Sequence, residues 1–306
     1  MSFASELKTE LCKSVPQNSC CRKAECYGLL LFGRSFSKNA VTVTTGNSAA
    51  AHRAAQLTAE ITGAVVDVSA SVSRRKERQN AFTVSVAGDN QRDAVLSCFG
   101  HTGSEISLRI NHANLENECC ASAFLRGAFL TCGTVTDPAK DYHLEFVVPF
   151  MNLAKDLSAL ISEIYELDLQ PGLLNRKGSF IVYLKGGERV ADLLTFIGAG
   201  NASMELMQMK MLKELRNNVN RKTNFETANL DKTALAAAAQ VIAIEKILNS
   251  PSGVSALPEE LQELAMLRYR NPEMSLRELG EALSEPLSRS GINHRLQRIA
   301  DISNDM

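Results

Sequence analysis

The sequence Cys119-Cys-Ala-Ser-Ala-Phe-Leu-Arg-Gly-Ala-Phe-Leu130 is the most informative part of the chain about its architecture, because its pattern occurs twice. The segment Cys20-Cys-Arg-Lys-Ala-Glu-Cys-Tyr-Gly-Leu-Leu-Leu31 aligns with it at a spacing of 99 residues, with five of twelve positions identical. The spacing persists further along the chain, since 81–88 aligns with 179–186 at 98 residues. An internal duplication accounts for both matches.

The two copies share one order of predicted elements. A helix that carries a glycine is followed by β-rich stretches, such as 41–45 in one copy and 142–148 in the other. An amphipathic helix, two further strands and a closing helix complete each copy. The sequence therefore predicts an α+β pseudo-dimer in which helix–strand–strand–helix–strand–strand–helix, or αββαββα, occurs twice, over about 1–105 and 106–202.

The first helix of each copy contains a glycine at the equivalent position, Gly28 and Gly127. A glycine inside a helix costs about 1 kcal/mol relative to alanine, so it needs a structural reason. Two helices can approach backbone to backbone only where side chains are absent. We expect these glycines to form the domain interface. The alternative is two unrelated helices that tolerate a glycine.

The segment Leu125-Arg-Gly-Ala-Phe-Leu-Thr-Cys-Gly133 resembles the LAGLIDADG helix of homing endonucleases, and 26–34 is its weaker counterpart. The resemblance implies that the two helices form the central interface. In that family an acidic residue near each helix end binds the divalent metal for phosphodiester cleavage. Those positions fall on Gly33 and Cys132, which cannot supply the carboxylates that such hydrolysis needs. We therefore expect the duplicated fold without nuclease chemistry.

A basic turn precedes the last strands of the first copy. It contains Arg74, Arg75 and Lys76, and a similar basic pair precedes 179–185 in the second copy. In the endonuclease family, residues of the sheets face the DNA groove. Residual DNA contact is one interpretation of these turns, and a solvated loop is the other.

The eight cysteines all precede residue 133, and two pairs of them are adjacent. Neither adjacent pair has the Cys-x2-4-Cys spacing of a structural zinc site. The pattern favours thiols that act as small buried side chains, with metal or redox chemistry as the alternative. The sequence predicts no metal site and no cofactor.

Composition restricts the class of protein. A chain of 306 residues is long enough for about two domains. Hydrophobic residues make up 45% and charged residues 22%, and the formal charge of −1 means that any basic surface must be local. No apolar run approaches a membrane span and the N-terminus lacks a signal peptide, so we expect a cytoplasmic protein.

Beyond residue 201 the strand signals stop and the chain is predicted to be helical. Ser203 is a candidate N-cap for a helix over 204–217, and Asn229 for an alanine-rich helix over 230–248. Pro258 opens a third helix that ends before Pro272.

The segment 217–233, between the first two of these helices, is rich in amides and hydroxyls. Its residues Arg221, Lys222 and Asn224 are candidate phosphate ligands ahead of the following helix. The alternative is a loop held by its own side-chain hydrogen bonds. Both interpretations place a break between the predicted helices 204–217 and 230–248.

The C-terminal segment has the pattern of a helix-turn-helix, over about 275–302. Ser275-Leu-Arg-Glu278 is a capping box that opens a short helix ending near Leu283. After a turn, Ser288 or Ser290 is expected to cap a final helix that reaches about Ile302. The predicted trihelical core consists of Leu264, Leu267, Leu279, Leu283, Ile292, Leu296 and Ile299.

The outward positions of this segment are polar or basic, and no acidic residue occurs between 288 and 300. Arginine pairs with guanine edges and phosphates, and asparagine and glutamine pair with adenine. We expect Asn293, Arg295 and Arg298 to contact bases, and Arg289, Ser290 and His294 to contact the backbone. The full set of candidate DNA-binding residues is Ser275, Arg277, Arg289, Ser290, Asn293, His294, Arg295, Gln297 and Arg298.

The segments 220–233 and Ser290-Gly-Ile-Asn-His-Arg-Leu296, after a degenerate LAGLIDADG-like domain, resemble the WhiA family of bacterial regulators over the whole chain. The resemblance implies DNA binding without nuclease activity. It also implies a role in sporulation in filamentous actinobacteria, and in cell division or chromosome organisation in other Gram-positive bacteria. In this family the terminal domain resembles the promoter-reading domain of sigma factors, and the partners can include a WhiB-type iron–sulfur protein.

The hypothesis is therefore a nucleoid-associated transcriptional regulator that binds double-stranded DNA. We expect a duplicated domain over 1–202, a linker over 203–229 and a DNA-binding domain over 230–306. The duplicated domain is expected to be a platform for additional DNA or a protein partner. Two alternatives remain: a metal-dependent LAGLIDADG endonuclease that uses another acid such as Asp137, and a scaffold without DNA contact.

Overall fold

The structure is a computed structural model that describes residues 2–72 and 80–306. Its residues divide into two compact units, Met1–Lys213 and Glu214–Met306. In the described part of the chain, no helix is both long enough and apolar enough to cross a lipid bilayer.

The first unit begins with a helix, α1 (Phe3–Lys13), whose buried face includes Leu7 and Leu11. The first copy of the duplication follows it. Its elements are α2 (Ser19–Leu31), β1 (Ser35–Phe36), β2 (Val41–Thr45), α3 (Ser48–Thr62), β3 (Val66–Val72), β4 (Asn80–Val86) and α4 (Asp89–Cys98).

The second copy has the same order of elements. They are α5 (Glu118–Cys132), β5 (Gly133–Val135), β6 (His143–Val148), α6 (Met151–Ser162), β7 (Gly172–Arg176), β8 (Ser179–Lys185) and α7 (Gly187–Phe196). A short 3-10 helix, His112–Asn114, lies in the connection between the copies. The predicted duplicated αββαββα fold is confirmed.

Each copy forms one four-stranded antiparallel sheet, with the orders β1-β2-β4-β3 and β5-β6-β8-β7. Val43 of β2 lies opposite Val84 of β4, and Phe146 of β6 lies opposite Val182 of β8. All four side chains are buried. Because side chains alternate between the two faces of a strand, equivalent faces of the two sheets are turned to the core.

Helices α2 and α5 pack with their backbones in contact. A Cβ atom placed on Gly28 would overlap the carbonyl oxygen of Phe124, and one placed on Gly127 would overlap that of Glu25. Any side chain larger than hydrogen would therefore force the two helices apart. The glycines are the reason that the two copies meet along these helices.

A buried ion pair accompanies this contact. The carboxylate of Glu25 accepts hydrogen bonds from Nε and Nη2 of Arg53 at 2.8 and 3.1 Å, and Nε of Arg126 lies 3.6 Å from it. Glu25 is fully buried. Because a buried carboxylate needs a cationic partner, these contacts connect α2 to both α3 and α5.

The cysteines do not fit the prediction of uniformly buried side chains. Cys21, Cys26 and Cys120 are buried, but Cys119 is exposed and the others are half-buried. Four of the thiols lie together at the first turns of α2 and α5, and we name them the cysteine cluster: Cys20, Cys21, Cys119 and Cys120. Pairing of the two duplicated helices brings the two cysteine doublets together, which local sequence spacing does not reveal.

The prediction of a break between the helices 204–217 and 230–248 is wrong. One continuous helix, α8 (Gly200–Leu248), spans both. No glycine or proline occurs between 201 and 248, and asparagine or threonine costs less than about 0.7 kcal/mol per residue relative to alanine. Ser203 is therefore not an N-cap; its buried hydroxyl donates to the carbonyl of Ala191 at 2.9 Å. Asn229 is likewise inside the helix.

The second unit contains the C-terminal part of α8 and three shorter helices. They are α9 (Glu259–Arg270), α10 (Leu276–Ala282) and α11 (Arg289–Asp305), with a 3-10 helix at Gly253–Ala256 before them. The buried core of this unit includes all but one of the predicted apolar residues, and Leu267 packs on it partly buried. Ile244 and Ile247 of α8 complete the core.

Candidate nucleic-acid interface

Helix α10 begins with the predicted capping box. Ser275 Oγ accepts the N–H of Glu278 at 3.3 Å, and Glu278 Oε2 accepts the N–H of Ser275 at 2.7 Å. The hydrogen bond from the Ser275 N–H, with that from its hydroxyl, holds the pKa of Glu278 below its ordinary value. The capping box fixes the start of α10, as the sequence predicted.

The turn between α10 and α11 depends on Gly280. The N–H of Leu287 donates to the carbonyl of Gly280 at 3.0 Å, and a Cβ atom at position 280 would overlap the carbonyl oxygen of Leu287. Ser288 then caps α11 by accepting the N–H of Gly291 at 3.2 Å. The two predicted helices and their turn thus form a compact helix-turn-helix.

Helix α11 has one buried face and one polar face. Ile292, Leu296 and Ile299 are buried in the core of the unit. The exposed polar face, which we name the α11 face, consists of Arg289, Ser290, Asn293, His294 and Gln297. Its side chains offer both donors and acceptors, which are the groups that read base edges.

Arg295 is half-buried and Arg298 is exposed one turn after His294, but both guanidinium groups contact Glu260. Nη1 of Arg295 donates to the carbonyl of Glu260 at 3.0 Å, and Nη1 of Arg298 lies 2.7 Å from Glu260 Oε1. The structure therefore places both guanidinium groups beside the first turn of α9. Of the three residues expected to lead base contact, Asn293 alone lies on the α11 face.

A cationic groove runs between α8, α10 and α11 within the second unit. Its lining includes Lys232 of α8, Arg277 of α10, and Arg289 and Asn293 of α11. Nε of Arg277 donates to Glu281 Oε1 at 2.9 Å, and this hydrogen bond raises the pKa of Arg277. No carboxylate is among the residues that line this groove in the described chain. Such a groove attracts phosphate.

Arg268 supports the wall of this groove from the interior. Burial lowers the pKa of its guanidinium, which donates to Gln240 Oε1 at 3.0 Å and to the carbonyl of Met274 at 2.5 Å. Arg268 is only 3% exposed, so it positions α8 against the loop before α10.

The predicted phosphate ligands Arg221, Lys222 and Asn224 are exposed on α8. They lie in the middle of the helix, so the expected helix N-terminus after them does not exist. Their side chains point to solvent as an ordinary polar helix surface. The basic turn with Arg74, Arg75 and Lys76 lies outside the described residues.

Comparisons with known proteins identify the family. Residues 219–303 match the WhiA C-terminal HTH domain, and residues 121–216 match the WhiA LAGLIDADG-like domain. A protein of Ruminiclostridium cellulolyticum named probable cell division protein WhiA is 37% identical over 308 residues, 99% of this chain and 97% of that protein. The chain is a member of the WhiA family.

Other relatives agree with this membership. A Clostridium botulinum protein, also named probable cell division protein WhiA, is 38% identical over 318 residues, 100% of this chain and 99% of that protein. The crystal structure of full-length DUF199/WhiA from Thermatoga maritima matches with a TM-score of 0.59 at 23% identity, covering 100% of this chain and 99% of that chain. This match supports the fold.

In this WhiA-family chain the C-terminal ends of α2 and α5 carry no carboxylate at the expected positions, which are Gly33 and Cys132. Burial raises the pKa of the Cys132 thiol to about 12. Nζ of Lys8 donates to the carbonyl of Leu130 at 3.0 Å, so an amine lies near the end of α5. Asp137 is exposed and accepts the N–H of Ala139 at 2.9 Å in a turn.

Among residues 2–72 and 80–306, the cysteine cluster is the only group of three or more His, Cys, Asp or Glu side chains close enough to share a metal ion. It lies at the N-terminal ends of α2 and α5, away from the positions that the endonuclease resemblance identifies. The described residues therefore offer no acidic metal site where LAGLIDADG endonucleases have one.

Two positions of the candidate site in this WhiA-family chain were missed from the sequence. Lys232 falls in the predicted helix over 230–248 but was not singled out, because no local pattern shows that this helix turn lines a groove with α10 and α11. Gly280 was not singled out either, although a glycine two residues before a helix end is a recognisable turn signal.

Proposed function

We propose that the chain is a sequence-specific double-stranded DNA-binding protein whose helix α11 enters the major groove. The observation that supports this most strongly is the α11 face, which is exposed and polar and has no acidic residue between 288 and 300. In helix-turn-helix proteins the second helix presents its exposed side chains to base edges. The match to the WhiA HTH domain is consistent with this role.

We assign base contact to three residues one turn apart on α11: Arg289, Asn293 and Gln297. Positions i, i+4 and i+8 lie along one line of a helix, so they can follow the floor of the groove. Ser290, His294, Arg277 and Ser275 are then suited to the sugar–phosphate backbone, and Lys232 extends that contact from α8.

Arg295 and Arg298 are assigned to flanking phosphates. In the free protein the Glu260 carboxylate partly neutralises Arg298, and the Glu260 carbonyl accepts a hydrogen bond from Arg295, so phosphate contact by either residue requires loss of its contact with Glu260.

The experiment is selection of bound duplexes from a random-sequence library with the full-length protein, followed by titration of the selected site across a salt series. A specific DNA-binding protein gives an enriched motif and an affinity that falls steeply with salt. Recovery of unselected sequences with no salt-dependent affinity would instead support a scaffold without DNA contact.

The chain is further proposed to lack nuclease activity. The residues at the expected metal positions, Gly33 and Cys132, cannot act as carboxylate ligands. Supercoiled plasmid incubated with Mg²⁺ or Mn²⁺ should stay intact. Cutting that disappears in Asp137→Asn would overturn this part of the proposal.

The cellular role that we propose is regulation linked to cell division, chromosome organisation or sporulation, since the relatives are named probable cell division proteins. The duplicated domain is suited to be a platform for a protein partner. Genome-wide occupancy distinguishes the two modes of action: a few sharp peaks support a promoter-specific regulator, and broad coverage supports a nucleoid-associated protein.

A further inference from the structure

The cysteine cluster lies where the first turns of α2 and α5 meet in the first unit. Its four Sγ atoms all lie within 4.8 Å of one another, and those of Cys20 and Cys21 are 4.0 Å apart. Each doublet occupies the second and third residues of its helix. One doublet comes from each copy, so the cluster spans the internal duplication.

These separations suit one tetrahedral ion. Four thiolates at about 2.3 Å from Zn²⁺ form a tetrahedron with edges of about 3.8 Å. The observed thiols would need to move by about 1 Å or less per pair to reach that spacing. An iron–sulfur cluster distributes its cysteines over separate iron atoms, which requires a wider arrangement of sulfurs. A set of four thiolates in tetrahedral arrangement selects Zn²⁺ over Mg²⁺ or Ca²⁺.

The two helix ends also favour negative charge at this point. The N-terminus of a helix carries a partial positive charge and unpaired N–H groups, both of which stabilise thiolates. The N-cap residues Asn18 and Asn117 make no side-chain capping hydrogen bond. The first-turn N–H groups of both helices are therefore not taken up by cap side chains.

We propose that the cysteine cluster binds one Zn²⁺ ion, which links the two copies of the duplicated domain. Four Zn–S bonds replace four S–H bonds, the four protons pass to solvent, and no atom changes oxidation state. Gly28 and Gly127 bring the helices into contact along their length, and the ion fixes their N-terminal ends.

The first test measures zinc in the full-length protein, produced with zinc in the medium and purified under reducing conditions without chelators. We expect about one zinc per chain. Cys20→Ser/Cys119→Ser removes one ligand from each doublet at its less buried position, and it should lose the zinc. Cys98→Ser, a half-buried thiol outside the cluster, is the matched control and should retain it.

The second test uses Co²⁺ added to the zinc-free full-length chain. Tetrahedral thiolate coordination gives intense d–d absorption and sulfur-to-cobalt charge transfer, and the single variant Cys119→Ser should shift these bands even if the double variant does not fold. Absence of these bands from the wild-type protein would overturn the proposal. Equal zinc retention in wild type and the double variant would also overturn it.

Discussion

The guanidinium of Arg298 lies 2.7 Å from the carboxylate of Glu260, which joins the last helix of the chain to the first turn of α9. The same residue accepts a hydrogen bond from Arg295 through its carbonyl. Glu260 therefore offsets positive charge on the flank of the proposed DNA-binding helix.

We expect Glu260→Gln to increase DNA affinity. Removing the carboxylate releases Arg298 for phosphate contact, so the affinity should rise several-fold at low salt. The plot of log affinity against log salt concentration should become steeper by about one, which corresponds to one more phosphate contact. Fluorescence anisotropy with a labelled duplex over a salt series measures both. Glu259→Gln is the control variant. It removes the same charge one residue earlier in α9, where the carboxylate does not contact Arg298, so it should change the salt slope less. An unchanged slope in Glu260→Gln would contradict this assignment of the flank.

Asn293→Ala should weaken binding to the selected site and relax sequence preference. Asn293 lies on the α11 face, and loss of a bidentate contact to adenine costs about 1–3 kcal/mol. Competition titrations with single-base variants of the site measure the preference directly. Gln208→Ala removes an exposed amide from the first unit and should leave binding unchanged. Equal loss of affinity for every sequence would instead place Asn293 on the phosphate backbone.

The sequence predicted those elements that depend on a short stretch of residues or on the internal duplication. The aligned doublets and glycines predicted the duplication, and the capping box at Ser275 predicted the start of α10. The continuity of α8 was missed, because amides and hydroxyls are typical of loops although each costs a helix little. The cysteine cluster forms only when α2 and α5 pack together, so no sequence spacing reveals it. The same holds for Arg298 and Glu260, which are 38 residues apart in the sequence and meet only through tertiary packing.

Gly28→Ala should destabilise the first unit strongly. Its methyl group would overlap the carbonyl oxygen of Phe124, so α2 and α5 must separate. We expect a loss of about 3 kcal/mol in the free energy of unfolding, which exceeds the gain of about 1 kcal/mol in helix propensity. Urea denaturation followed by far-UV circular dichroism measures it. Gly200→Ala is the matched control, because no atom lies within 4 Å of the position that its methyl group would take. Equal stability of the two variants would show that the helices do not need a glycine contact.

His101 should make the stability of the first unit depend on pH. Tyr27 Oη accepts the N–H of Asn111 at 2.8 Å, so its own proton is directed at His101 Nε2, also at 2.8 Å. Burial lowers the pKa of His101, although Glu105 near Nδ1 acts in the opposite direction. Protonation at Nε2 would remove the acceptor that Tyr27 uses.

Since the folded pKa of His101 lies below its unfolded value of about 6.5, the unfolded state binds the proton more readily. The stabilisation that depends on neutral His101 is therefore complete above about pH 6.5 and is lost as the pH falls from there through the lower folded pKa of His101. Urea denaturation between about pH 7.5 and pH 5.5 should show a larger loss in wild type than in His101→Gln, whose amide oxygen still accepts from Tyr27. The exposed His52→Gln should keep the wild-type dependence. If His101→Gln and wild type lose stability equally over this range, the buried imidazole is not the group that titrates.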